Sequence, residues 1–108
     1  MENFIEFLQG RQALCLAEAE KLARDNRMDE ANLQKAQVNI FGIFVTVAQI
    51  PNQPPDFLEH KIEEIPLAWH KSLEAAIKHG DFEKETVERA KIATMEEIKA
   101  ELTRMQGG

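Results

Sequence analysis

The chain has 108 residues, 44% hydrophobic and 30% charged, with a formal net charge of −6. That length is the size of one domain with its own core, so neither a metal nor a disulfide is needed as a staple, and a single cysteine, Cys15, rules out an internal disulfide. The acid excess and the lack of a Lys/Arg run argue against a nucleic-acid surface: residues 1–55 carry seven acids against five bases, and residues 56–108 carry twelve against eight.

The first helix is expected from about Asn3 to Asp25, with Phe4, Ile5, Leu8, Cys15, Ala19, Leu22 and Ala23 recurring at helical spacing on one face. Phe7 and Leu14 form a second apolar edge, and Arg11 and Glu18 lie between that edge and the main face. Those two charges are seven residues apart, too far for an i,i+4 pair. Either their stems snorkel to solvent or they pair with charges on another chain. Asn26–Asp29 makes a turn, with Asp29 a candidate N-cap for the second helix.

The second helix runs to about Gln49 and contains VNIFGIFVTVAQI, from Val38 to Ile50, in which nine of thirteen residues are apolar and none is charged. A membrane span needs about 20 apolar residues. Asn39, Gly42, Thr46, Gln49 and Pro51 interrupt this run, so no membrane is expected. Its β-branched content suggests a strand, but the polar positions Asn32, Lys35, Asn39, Gly42, Thr46 and Gln49 follow steps of three and four, one stripe along a helix. Opposite that stripe lie Leu33, Ala36, Ile40, Ile43, Phe44, Val47 and Ile50, with Phe41, Val45 and Val38 on a flank. A helix so apolar is buried from several sides. The stripe Asn39, Gly42 and Thr46 is a second candidate contact with another copy of the chain, because glycine allows close approach and asparagine pairs across an interface.

Pro51, Pro54 and Pro55 forbid further helix and make residues 51–55 a linker. Asp56 and Glu59 have the spacing of a capping box for a third helix whose buried line is Leu58, Ile62, Ile65, Trp69, Leu73 and Ala76. Pro66 lies inside that line, so the helix is expected to kink or break there. Gly80 ends it and Asp81 caps the fourth helix, which carries Val87, Ala90, Met95, Ile98, Leu102 and Met105 on its apolar face. Shifted by 54 residues, the two halves match without a gap: Phe4 falls on Leu58, Leu8 on Ile62, Cys15 on Trp69, Leu22 on Ala76 and Leu33 on Val87.

The turn sequences NRMDEA (Asn26–Ala31) and GDFEKE (Gly80–Glu85) resemble the inter-helix turns of tetratricopeptide repeats, although Lys35 stands where the repeat has an aromatic and the spacing is 54 residues. The stretches DEANLQKAQVNIFGIF (Asp29–Phe44) and HGDFEKETVERAKIATMEEIKA (His79–Ala100) resemble a family of small all-helical proteins of Firmicutes-type bacteria. That second resemblance implies a helical fold and brings no activity with it.

Residues that carry chemistry are sparse. Bundle metal sites use Glu-x-x-His on two helices, whereas here His60 precedes Glu63 and Glu64, and H-E-x-x-H is missing. His60 with Glu64 and His70 with Glu74 read as solvated i,i+4 pairs. Cys15 sits on an apolar face, with Arg11 one turn away. No metal, cofactor or catalytic residue is expected.

The expected fold is all-α, one domain over residues 1–108: a hairpin at 1–50, the linker at 51–55, a hairpin at 56–105 and a frayed tail at 106–108, packed as a four-helix bundle with the third helix kinked or broken at Pro66. The expected function is a cytoplasmic, non-enzymatic interaction or regulatory module, a homodimer or a binder of another protein. The interface candidates are Phe7, Arg11, Leu14, Glu18, Asn39, Gly42 and Thr46. The alternative is a small-molecule- or metal-binding bundle with enzymatic activity, using a pocket around Cys15, Trp69 and His70.

Overall fold

A computed structural model describes residues 2–107. Among them every regular element is a helix: α1 Glu2–Arg24, α2 Met28–Ala48, α3 Phe57–Glu64, α4 Leu67–His79 and α5 Phe82–Gly107. None is long and apolar enough to cross a membrane. The chain divides into two compact units, Met1–Gln49 and Ile50–Gly108, one for each expected hairpin.

In the first unit α1 and α2 pack as an antiparallel hairpin. Phe4, Leu8, Cys15, Ala19 and Leu22 of α1 are buried, as are Ala31, Ile40, Phe41, Phe44 and Ala48 of α2. The greasy stretch is therefore one continuous helix ending in a turn before Pro51. Its core face is rotated from the expected one: Phe41, expected on a flank, is fully buried, whereas Ile43 is 40% exposed. Residues equally far from the turn meet across the hairpin. The Gln12 amide donates to the Val38 carbonyl at 3.2 Å, the Cys15 thiol donates to Gln37 Oε1 at 3.2 Å, and the Arg11 guanidinium lies 5.6 Å from the centre of the Phe41 ring.

The second unit repeats that plan with one interruption. Proline has no N–H to give the Ile62 carbonyl, and its ring crowds the preceding turn. Here Ile65 and Pro66 keep right-handed helical dihedrals between α3 and α4, so the interruption is a two-residue break. The helical line then resumes along α4, and α5 returns beside it. The Glu63 carboxylate meets Lys99 Nζ at 2.7 Å, and Gln106 donates to Glu59. The end of α5 is thus tied back to α3, and helix continues to Gly107, beyond the expected end at Met105.

The match at a shift of 54 residues extends to backbone geometry. Asn26 and Gly80 both take left-handed dihedrals, φ 61° and 69°. The residue after each donates its N–H five positions back, Arg27 to Leu22 at 2.8 Å and Asp81 to Ala76 at 2.9 Å. Both are the same helix-ending motif, which glycine and asparagine tolerate best. The burial pattern continues beyond the turn: Ile40, Phe41, Phe44 and Ala48 correspond to Thr94, Met95, Ile98 and Leu102, all buried.

The helix starts differ. Asp81 caps α5 as expected, its Oδ1 accepting from the Lys84 N–H at 3.1 Å. Replacing Asp81 with alanine should cost about 1 kcal/mol, read as a lower thermal midpoint by circular dichroism. Asp29 is not the cap of α2. The helix begins at Met28, where neither Asp29 nor Arg27 supplies a side-chain cap, and Arg27 pairs with Glu30. Asp29 instead favours the positive helix end through its charge. The expected capping box of α3 does not form either. Asp56 is left-handed (φ 64°) and makes no side-chain cap bond, and Glu59 is drawn to Gln106.

Candidate functional site

The outer edge of α1 leaves apolar surface uncovered. Leu14 is 63% exposed, Gly10 and Ala17 are exposed, and Phe7 is half-buried, stacked on Phe4 with ring centres 6.4 Å apart. These residues recur every two turns, which puts them on one line beside the core face. Arg11 borders this line, held over the Phe41 ring, and Glu18 borders it one heptad further on, exposed. A cation over an aromatic face is attracted to the ring's quadrupole, so the Arg11 charge is kept in one place. The Arg11 head thus lies over an aromatic ring of its own hairpin.

The other interface candidates are partly used within the hairpin. Asn39 and Thr46 are exposed, and the Thr46 hydroxyl donates to the Gly42 carbonyl at 3.1 Å. Gly42 faces α1. A Cβ added there would lie 2.8 Å from Gln12 Nε2, so the glycine makes room for the Gln12 amide that reaches Val38. The close approach that glycine permits is thus taken up by the chain's own first helix.

Of the alternative set, Cys15 belongs to the first unit and Trp69 and His70 to the second. Cys15 is buried on α1 with its thiol on Gln37. His70 is exposed and lines a cavity of about 110 Å³ at the Pro66 break. The apolar lining is Ile62, Pro66, Leu67, Ile92 and Met95, and the charged lining is Glu63, Glu96 and Lys99 besides His70. Trp69 is half-buried and is not among the residues that line it. Glu63 raises the Lys99 pKa above the ordinary lysine value, first through its hydrogen bond and then through its charge, with Glu96 adding to it. A pair so engaged presents little unsatisfied charge to a ligand. No cluster of three potential metal ligands occurs among the described residues. The expected His60–Glu64 pair gives way to Lys61, whose Nζ lies 3.3 Å from Glu64.

Sequence reasoning missed Glu88. It is only 5% exposed, on the same stripe of α5 as Met95, Ile98 and Leu102. Lys91 Nζ lies 3.2 Å from its Oε1, and Oε2 has no hydrogen-bond partner among the described residues. The sequence carries no signal for it, since the internal match sets Glu88 opposite another polar residue, Gln34.

No protein-family model, curated protein or solved structure matches the chain.

Proposed function

We propose that the chain is a non-enzymatic helical interaction module that works as a homodimer. The observation that carries this reading is the exposed apolar edge of α1, with Leu14 63% exposed beside a hairpin core that is already filled. Apolar surface collected along one line is a usual mark of a partner site, and closed two-fold dimers are the commonest way to cover it. The titratable groups support the same reading. His60, His70 and His79 are all exposed, and the Cys15 thiol is engaged with Gln37. A cytoplasmic setting in a bacterium fits a chain with a single cysteine and no internal disulfide, and the resemblance to small helical bacterial proteins.

The second reading, a small-molecule site, is favoured by one observation, the cavity at Pro66 that His70 lines. Its volume of about 110 Å³ is well below the ~300 Å³ at which small-molecule pockets begin. It therefore takes second place.

Sedimentation velocity from low micromolar to near-millimolar concentration tests the first reading. The expected result is a mass that rises from 12.3 kDa toward twice that value. A mass fixed at the monomer throughout would refute it.

A further inference from the structure

We infer that α1 pairs antiparallel with α1 of a second copy, across a two-fold axis near Leu14. The inference rests on the homodimer reading and names the surface and orientation that reading leaves open.

The line Phe7, Gly10, Leu14, Ala17 and Lys21 follows steps of three and four, the spacing of a helix–helix seam. Leu14 is its most apolar exposed point. A side chain built on Gly10 would meet nothing within 4 Å, so this face has room for a neighbour. An axis near Leu14 sets Leu14 against its own counterpart. It puts Gly10 beside Glu18 of the second copy, and Phe7 beside the apolar stem of Lys21 of the second copy.

The charges choose the orientation. In an antiparallel helix pair each flank meets the same flank of its neighbour. Arg11 and Glu18 share one flank, so Arg11 comes beside Glu18 of the second copy, and Glu18 beside Arg11. One self-complementary pattern then makes two ion pairs, and the Phe41 ring already holds Arg11 at the edge. On the other flank Glu6 comes level with Leu22 of the second copy, midway between Glu20 and Arg24, so it neither favours nor disfavours this orientation. A parallel pair would make one favourable contact, Glu6 beside Arg11 of the second copy, but would set Lys21 against Lys21 and Glu20 beside Asp25 of the second copy, like charges in two places.

One helix face of this length buries less than the ~1,200 Å² of a standard interface, so the dimer is a weak, reversible one.

The test is a charge exchange read by sedimentation. Arg11→Glu alone and Glu18→Arg alone each turn both ion pairs into like-charge contacts, and each should weaken self-association by on the order of tenfold. An equimolar mixture of the two variants should associate as a heterodimer, at least as tightly as the wild type. The double variant R11E/E18R should recover self-association. Circular dichroism of each variant checks that the loss of the Arg11–Phe41 contact has not unfolded the hairpin, and the mixture experiment stands even if R11E is somewhat less stable. A wild-type dimer that neither single variant weakens, or a mixture no tighter than its components, would overturn the α1 pairing and leave the homodimer standing. A wild type that is monomeric at every concentration would overturn both.

Discussion

Replacing Phe44 with alanine is expected to cost about 3–5 kcal/mol, the range for truncating a fully buried aromatic. Phe44 is inaccessible to solvent, on the same buried face of α2 as Ile40, Phe41 and Ala48. The lost ring leaves a cavity between neighbours that belong to two rigid helices. Such a space closes poorly, so the loss of packing adds to the loss of transfer free energy. The measurement should separate the two units. Trp69, the only tryptophan, belongs to the second unit, whereas far-ultraviolet circular dichroism reports on helices of both. Denaturant unfolding followed by circular dichroism should show the full loss. A change below 1 kcal/mol would contradict the placement of Phe44 in the core.

Replacing Glu88 with leucine should go the other way and raise stability by about 1–2 kcal/mol. A buried carboxylate keeps its place only if its charge and both oxygens are satisfied. Here Lys91 answers one oxygen at 3.2 Å, and the other has no partner among the described residues. Leucine is of similar length, continues the apolar stripe of Met95, Ile98 and Leu102, and is a stronger helix former. Lys91, about a quarter exposed, can turn to water when its partner is gone. Denaturation followed by Trp69 fluorescence reads this unit directly. A loss of more than 1 kcal/mol would show that the carboxylate is held by interactions that leucine cannot replace.

The helices were legible because helical spacing and breakers agree. The core line of α1 and the end of α4 at Gly80 follow from residues whose physics is local: apolar side chains at steps of three and four, and a glycine with φ 69°. Features that depend on a second helix were harder to read. Phe41 was assigned to a flank because the polar stripe of α2 alone set the axis, but the position of α1 turned the core face toward it. Asp56 and Glu59 have the letters of a capping box, but the backbone at Asp56 is left-handed and Glu59 has a partner 47 residues away, in Gln106. Glu88 was missed because a carboxylate is normally placed at the surface on its chemistry alone.

The candidate site divides in the same way. Phe7, Leu14, Arg11 and Glu18 are read from the pattern of one helix alone; the structure leaves Leu14 exposed and holds Arg11 over the Phe41 ring. Gly42 looked like a contact for another copy because a glycine in a helix marks close approach without saying to what. Its neighbour is Gln12 of the same hairpin. Gln12 and Gly42 lie equally far from Arg27 in the turn, and that spacing is the signal for their contact.

The most direct test of the central claim is a filtered nuclear Overhauser experiment on an equal mixture of labelled and unlabelled protein, at a concentration where sedimentation shows a dimer. The account predicts contacts between copies from the Leu14 methyl groups to Leu14 and Ala17, and from the Phe7 ring to the Lys21 stem. Contacts between copies that involve Asn39 or Thr46 but not Leu14 would contradict it.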